Sequence, residues 1–277
     1  MRLNDFFNLA RKRHRIYLDR LQGELPPWTE DPILAEYRFC NVFRELDKNT
    51  IWYRTHIREK LLDDEKSLLI ATLAYRWFNK IETAEIIEDL FFDWDGDEAL
   101  KRLNGRSPVI TGAYIIKTPN GMTKLNGVLW CIQQCVDNID ELHKQISGAS
   151  LEDATKALCE MPYMGPFMAY EVITDLRHTS LLMDAPDILT WANPGPGCRR
   201  GMSRLNDLDV QYYASGKEAE LMKQMRKVLA ASKDKAFWPV HWPEWEMREV
   251  EHWLCEYDKY SRALNGEGRP KQKYQAR

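Results

Sequence analysis

Residues 151–176 read LEDATKALCEMPYMGPFMAYEVITDL, and this stretch decides the fold prediction. Ser150, with Asp153 three residues later, is typical of a helix N-terminus, and apolar residues then recur at helical spacing. Gly165 is expected to make a turn and Pro166 to open a second helix. Two short helices joined in this way present backbone N–H groups outward, which suits a phosphate, although an ordinary corner of a helical core is the alternative.

Helical periodicity extends over most of the chain. Apolar residues at three- and four-residue steps predict one long helix over 126–146, another over 32–47, and a third from Trp242 to Tyr260 with Pro243 in its first turn. Residues 108–117 are compatible with a brief strand or with a helix start. Shorter helical patterns cover residues 6–21, 65–78, 84–94, 98–103 and 218–231.

These patterns predict an all-α protein. We expect residues 1–265 to form a single helical domain, with two packed helical lobes as the alternative, and residues 266–277 to form a basic and partly mobile tail. The ten tryptophans lie mostly at predicted helix ends or on apolar faces, so most are expected in the core.

Composition argues against a protein that binds nucleic acid by overall positive charge, a membrane-spanning or secreted protein, and a disulfide-rich protein. The 277 residues carry 39 basic and 42 acidic side chains, a net charge of −3, so a nucleic acid would have to be bound by local patches. No apolar run is long enough to cross a membrane, and the start lacks the apolar core of a secretory signal, which predicts a cytoplasmic protein. Six scattered cysteines predict free thiols rather than disulfides or a metal cluster.

The 151–176 stretch resembles the helix-hairpin-helix of DNA glycosylases, whose hairpin has an apolar-Pro-Gly-apolar-Gly pattern. Tyr163 departs from that pattern, because it stands where the first glycine usually lies. The resemblance implies a glycosylase-like fold in which Tyr163, Met164 and Gly165 contact a DNA phosphate. Phe167 occupies the position of the nucleophilic lysine of bifunctional glycosylases, which argues against lyase chemistry.

The same resemblance implies a catalytic aspartate shortly after the second helix. Residues 183–191 read MDAPDILTW and contain Asp187, which is the better match by its spacing to Trp191, and Asp184 as the second choice. Simple helix capping by Asp187 is the competing interpretation. Trp191 is the candidate for stacking on a flipped base.

An arginine-rich segment follows directly. Residues 193–201 read NPGPGCRRG, a proline-stiffened loop expected to present Arg199 and Arg200 to a phosphate or pyrophosphate. The spacing of its glycines does not match a dinucleotide-binding fingerprint. Solvated arginines on a surface loop are the alternative.

The chain as a whole resembles the α-glutamyl/putrescinyl thymine pyrophosphorylases, which are amino acid:DNA transferases of phages. The segments that carry the resemblance are the hairpin, the 193–201 loop, RIY at 15–17, PWTEDPIL at 27–34, YRFCNVFRELD at 37–47 and EHWLCEYDKY at 251–260. The helical module beside 5-hydroxymethyluracil DNA kinases is also similar. The sequence contains no Gly-x-x-x-x-Gly-Lys-Ser/Thr motif, which excludes the kinase activity itself.

This resemblance implies a transferase that replaces the pyrophosphate of 5-pyrophosphoryloxymethyl-deoxyuridine with an amine. Its partners would be double-stranded DNA carrying modified thymine, an amino acid or polyamine co-substrate, and a functionally linked 5-hydroxymethyluracil DNA kinase in the host cytoplasm. No cofactor is firmly implied, although Mg²⁺ could accompany the pyrophosphate. The alternatives are a monofunctional glycosylase acting on a modified base and a non-catalytic DNA-binding partner of the kinase.

Roles follow from this chemistry. Asp187 or Asp184 would accept the proton of the amine or bind it. Arg38, Asn41 and Arg44, which share one face of the predicted 32–47 helix, would grip the pyrophosphate. A solvated helix face is the alternative. The remaining candidate pyrophosphate or substrate ligands are Asn193, Arg199 and Arg200.

Two basic runs are candidate DNA contacts. Arg11, Lys12 and Arg13 belong to the first, and the tail supplies the second with Arg269, Lys271, Lys273 and Arg277. Solvated helix faces are the alternative interpretation of such runs.

Overall fold

A computed structural model describes residues 1–268, 270 and 272–274. The described part of the chain is all-α, as predicted, and contains no strand, although an isolated antiparallel bridge joins Tyr37 and Lys273. Its helices are α1 (Leu3–Leu21), α2 (Pro32–Glu36), α3 (Lys48–His56), α4 (Glu65–Phe78), α5 (Ile81–Ala84), α6 (Gly96–Leu103), α7 (Lys124–Asp137), α8 (Ile139–Ile146), α9 (Leu151–Cys159), α10 (Pro166–Leu176), α11 (Pro196–Leu205), α12 (Glu218–Ala231) and α13 (Met247–Leu264). Short 3-10 turns cover Arg44–Leu46, Arg58–Lys60 and Glu85–Phe91.

The chain divides into two compact units. Unit 1 comprises residues 1–47 together with the chain from residue 188 onward, and unit 2 comprises residues 48–187. Within the described residues, no helix combines the length and apolarity needed to cross a membrane.

Unit 1 is built on the contact between α11 and α13. A Cβ atom added at Gly201 would lie 2.1 Å from the carbonyl oxygen of Leu254, and one at Gly197 would lie 2.9 Å from the Sγ of Cys255. Glycines four residues apart on α11 therefore let the two helix backbones approach closely.

An aromatic cluster fills unit 1 beside α1. Its buried rings include Phe6, Phe7, Trp238, Trp245 and Trp253. His14 is also buried, and its ring lies 4.6 Å from the ring of Trp242 and 5.6 Å from those of Phe43 and Trp238. Burial of so many large rings supplies much of the apolar area that stabilises this unit.

Unit 2 is organised around α4, which packs against α7, α8 and α10. Arg76 on α4 forms a buried two-point ion pair with Asp175 on α10, and its other amino group donates to the Oδ1 of Asn79 at 2.8 Å. Because both charges are almost inaccessible, each depends on the other for its compensation.

Several predicted helix boundaries are wrong. The predicted 126–146 helix is two helices, because the chain leaves helical geometry at Asn138, and residues 108–117 contain neither helix nor strand. The predicted 32–47 helix ends at Glu36, and Tyr37 takes an extended conformation.

The last helix also begins later than predicted. Pro243 lies outside α13, which starts at Met247. Glu246 and Glu249 form a reciprocal capping box there, in which each side chain accepts a hydrogen bond from the other residue's backbone N–H. This cap stabilises the observed start over the one suggested by the proline.

Candidate functional site

Residues 151–176 form two helices, α9 and α10, joined by a short turn, as predicted. Ser150 caps α9 by accepting the N–H of Asp153 at 3.0 Å, as predicted. The prediction that Gly165 makes the turn is wrong, since Gly165 is extended and Tyr163 is the left-handed residue, with φ of 63°. Tyr163 thus takes the conformation for which glycine is favoured.

This turn is open to solvent. The side chains of Tyr163 and Phe167 are 46% and 55% exposed, and a Cβ atom added at Gly165 would meet nothing within 4 Å. Met164 is buried, and its backbone N–H donates to the carbonyl oxygen of Met161 at 3.1 Å. An exposed turn ahead of a helix N-terminus leaves room for another molecule to approach the backbone.

The two candidate aspartates have different surroundings. Asp187 accepts the backbone N–H of Leu151 at 2.7 Å with one carboxylate oxygen and that of Glu152 at 3.0 Å with the other. Its carboxylate therefore caps α9 rather than a helix that follows it, and no helix forms over 188–192. Asp184 is exposed.

The segment 193–201 is not an arginine-presenting loop. Gly195 precedes α11, so Arg199 and Arg200 lie within the helix, while Asn193 and Trp191 are half-buried ahead of it. Both arginines are engaged inside unit 1.

Backbone and acidic groups bind these arginines. Arg199 donates to the carbonyl oxygens of Pro194 at 3.2 Å and Tyr213 at 3.1 Å. Arg200 pairs with Asp258 at 3.0 Å, and so does Arg204 at 2.9 Å. A phosphate would have to compete with those partners for the same guanidinium groups.

The predicted pyrophosphate-binding helix face is not formed, because no helix holds Arg38, Asn41 and Arg44 on one side. Arg38 is exposed, whereas Asn41 and Arg44 are buried. The side-chain amide of Asn41 donates to the carbonyl oxygen of Leu46 at 2.6 Å. The helical pattern over 32–47 fails because the chain is extended between α2 and the Arg44–Leu46 turn.

The basic run on α1 is partly internal. Arg11 donates to the carbonyl oxygen of Ala236 at 2.9 Å, and Arg13 donates to that of Phe39 at 3.2 Å. Burial lowers the pKa of Arg13, partly offset by nearby carboxylates. The predicted patch is therefore not uniformly solvent-facing.

The predicted basic tail can be followed at one of its four residues. Lys273 pairs with Glu36 at 3.1 Å. Arg269, Lys271 and Arg277 lie outside the described residues.

A cavity of about 750 Å³ in unit 1, here called the basic cavity, collects groups that sequence reasoning had not combined. Three cations of α1 line it together with two tryptophan rings and two carboxylates. Its lining residues are Asn8, Arg11, Lys12, Arg15, Trp28, Thr29, Glu30, Asp31, Pro32 and Trp242. The i, i+4 spacing of Arg11 and Arg15, which puts both on one helix face, was the available signal.

Asp31 anchors one wall of the basic cavity. Its carboxylate caps α2, accepts the hydroxyl of Tyr260 at 2.8 Å and pairs with Lys12 at 3.1 Å. Burial alone would raise the pKa of Asp31, but the hydrogen bonds from Tyr260, Leu34 and Lys12 lower it. The carboxylate is accordingly ionised and held in place, whereas Glu30 beside it is exposed.

A second group of polar side chains, here called the α13 polar cluster, comprises Cys40, Asp47, His252, Glu256 and Lys259. The N–H of Cys40 donates to Glu256 at 3.0 Å, and Lys259 pairs with Glu256 at 2.6 Å. Burial raises the pKa of Asp47 to about 6, although hydrogen bonding from the backbone of Asn41 opposes this shift. The cluster joins two segments more than 200 residues apart, which is why spacing did not reveal it.

Comparison with known proteins assigns this all-α chain to a family. The family described as "5-hmdU DNA kinase, helical domain" matches residues 1–269, and the chain belongs to that family. One relative is the 5-hmdU DNA kinase of Bacillus phage SP10, 29% identical over 290 residues. The alignment covers 92% of this chain and 44% of that protein, so the chain spans less than half of its relative's length. No solved structure matches the chain significantly.

Proposed function

We propose that this protein modifies thymine in phage DNA by transferring an amine to 5-pyrophosphoryloxymethyl-deoxyuridine. Membership of a family named for 5-hmdU DNA kinases, over residues 1–269, supports a role in thymine modification. These 277 residues carry no Gly-x-x-x-x-Gly-Lys-Ser/Thr motif, so this segment lacks the phosphate-binding loop of such kinases.

The basic cavity is the observation that carries the proposal. Its cations suit a departing pyrophosphate, since Arg11, Lys12 and Arg15 lie on adjacent turns of one helix. The pyrophosphate would compete with their present partners, which are the carbonyl oxygen of Ala236, Asp31 and Asp19. Trp28 and Trp242 are half-buried lining residues whose rings would stack on a base that has left the duplex, although Arg20 lies over one face of Trp28. About 750 Å³ is within the range of volumes that small-ligand sites occupy.

The reaction is a substitution at the methylene carbon of the modified base. The nitrogen of a neutral amine forms a bond to that carbon, and the carbon–oxygen bond to pyrophosphate breaks, with the electron pair leaving on oxygen. An ammonium co-substrate first loses a proton to a carboxylate. We assign that role to Glu30, because it is exposed in the basic cavity, whereas Asp31 is held by Lys12 and Tyr260.

The other candidates keep narrower proposed roles. Asp184 is the alternative base because it is exposed, and Asp187 is assigned to capping α9. The turn at Tyr163 and Gly165 is proposed to contact a DNA phosphate through its backbone. Mg²⁺ remains a candidate companion of the pyrophosphate.

The test is a product analysis. DNA containing 5-pyrophosphoryloxymethyluracil is incubated with the protein and candidate amines, digested to nucleosides and examined by mass spectrometry. An amine adduct is expected. Release of the free base would instead identify a glycosylase, and unchanged DNA that is nevertheless bound would identify a non-catalytic partner.

A variant pair locates the reaction. Arg15→Gln is expected to lower the rate of adduct formation at least about tenfold, because it removes a cation from the leaving group. Lys227→Gln, which changes an exposed cation of α12 outside the basic cavity, serves as the matched control. Equal rates for the two variants would remove the basic cavity from the reaction.

A further inference from the structure

We infer that Cys40, Asp47 and His252 form a binding site for a divalent transition metal, with Zn²⁺ as the best match. One ligand atom from each residue, the Sγ, a carboxylate oxygen and a ring nitrogen, lies within 4.8 Å of the other two. Such mutual distances allow one ion to be bound by all three after small side-chain movements. The earlier expectation of no metal cluster was drawn from sequence spacing alone.

The ligand types select the metal. Thiolate and imidazole are ligands of Zn²⁺ and its transition-metal neighbours, whereas Mg²⁺ and Ca²⁺ prefer oxygen. Three protein ligands leave a fourth tetrahedral position for water or a substrate atom. This site would therefore be distinct from the place where Mg²⁺ binds together with pyrophosphate.

Hydrogen bonding around His252 suits a ligand. Its Nε2 lies 3.1 Å from the carbonyl oxygen of Asn41. A carbonyl oxygen only accepts, so Nε2 carries a proton, and the ring would bind a metal through Nδ1 in its neutral form. Metal-binding histidines commonly donate their second ring N–H to a backbone carbonyl in this way.

The chain between the other two ligands is also held in place. The N–H of Asn41 donates to the Oδ1 of Asp47 at 2.9 Å, and the N–H of Cys40 donates to Glu256. These bonds orient the 40–47 segment against α13. They depend on the early end of α2, because a continuous helix over 32–47 would give this segment a different path.

The charges around the site include cations as well as carboxylates. The carboxylate of Glu256 is paired with Lys259, and Arg13 interacts electrostatically with both Cys40 and Asp47. A divalent ion would take the place of the Cys40 proton and share the charge of Asp47 with Arg13. Asn41 is 8% exposed, and among the described residues its Oδ1 has no hydrogen-bond partner. A cation or its bound water would satisfy such an oxygen.

A cobalt titration tests the site directly. Untagged full-length protein is stripped with a chelator and titrated with Co²⁺. We expect one Co²⁺ per chain, a near-ultraviolet thiolate-to-cobalt charge-transfer band and intense visible bands of tetrahedral Co²⁺, all lost when Zn²⁺ is added. Absence of stoichiometric binding by the wild-type protein would overturn the site, whatever the variants do.

Matched variants identify the ligands. Cys40→Ser should abolish the charge-transfer band, while Cys159→Ser, which changes a half-buried cysteine of unit 2, should leave it intact. Asp47→Asn and His252→Gln should weaken Co²⁺ binding by about 100-fold or more. A charge-transfer band that survives Cys40→Ser would overturn the assignment, with circular dichroism confirming that each variant is folded.

Metal binding is separable from the proposed reaction. Stoichiometric Co²⁺ binding without an amine adduct would leave the site standing and remove the transferase. An adduct formed by a wild-type protein that binds no metal would do the reverse.

Discussion

Two Gly-Pro helix starts in this molecule share one sequence signature, but the helices that follow them pack differently. Gly165-Pro166 opens α10 in unit 2, and Gly195-Pro196 opens α11 in unit 1. A Cβ atom added at Gly165 or at Gly195 would meet nothing within 4 Å. In α11, however, the glycines that follow the proline, Gly197 and Gly201, contact Cys255 and Leu254 of α13.

The difference teaches how a glycine near a helix start is to be interpreted. A glycine surrounded by open space lets another molecule approach the backbone, whereas one that touches a neighbouring helix lets two helices pack closely. Both segments were predicted to face a phosphate. The structure leaves that interpretation available for the α9–α10 turn and gives α11 a packing role.

The largest effect is expected from a substitution that disrupts the contact between α11 and α13. Gly201→Ala places a methyl group where the carbonyl oxygen of Leu254 lies, and backbone must move to admit it. We expect a loss of at least about 3 kcal/mol in the free energy of unfolding, measured by urea denaturation. Gly195→Ala, where an added Cβ meets nothing within 4 Å, is the control. Equal stabilities would contradict the packing role.

The next effect concerns the arginines of α11. Asp258 is 1% exposed and pairs with Arg200, Arg204 and Arg262. Asp258→Asn should lower the free energy of unfolding by about 2 kcal/mol. This loss is smaller than for breaking a fully buried ion pair, because the guanidinium groups remain partly exposed to water. Denaturation with and without high salt checks this. A stable variant with weakened DNA binding would instead favour the phosphate-binding role for these arginines.

A substitution at Gly165, where α10 begins, should change DNA binding rather than stability. Gly165→Ser adds a side chain in open space, and serine is a favoured N-cap, so the free energy of unfolding should change by less than about 0.5 kcal/mol. Affinity for duplex DNA should fall about tenfold, because the side chain obstructs the backbone. Fluorescence anisotropy measures this. Unchanged affinity would take the turn out of the DNA interface.

The smallest effect isolates backbone strain in the α9–α10 turn. Tyr163 has a positive φ, and both Tyr163→Gly and Tyr163→Ala remove its ring and its contact with Trp130. The glycine variant should be the more stable of the two by about 1 kcal/mol, since only alanine retains the left-handed penalty. Thermal unfolding of both variants gives the difference. No difference would mean that the turn relaxes to another conformation.

Local signals predicted much of the fold. The α9–α10 pair, including the Ser150 cap, follows from capping residues and apolar periodicity within a single stretch. Boundaries failed where non-local contacts decided them. The 37–43 segment is periodic enough for a helix, yet the backbone N–H of Arg38 pairs with the carbonyl of Gln272, far away in the sequence.

The candidate site was harder to predict for the same reason. Arg15, Trp28 and Trp242 come from three parts of the chain and meet only in the folded unit. Sequence reasoning could select residue types that suit a pyrophosphate, but not which arginines the fold engages. Arg200 illustrates this, because its partner Asp258 lies on a helix 58 residues away.

The ring-lined position of His14 gives unit 1 a sensitivity to acid. Burial, with a contribution from Arg13, lowers the pKa of His14 from 6.5 to about 4. The unfolded chain therefore takes up a proton at this residue before the folded chain does. The stability that the neutral imidazole contributes is present above pH 6.5 and is lost as the pH falls toward 4. Below this range the folded unit must either hold a protonated His14 among these aromatic rings and beside Arg13, or open so that the charged ring reaches water.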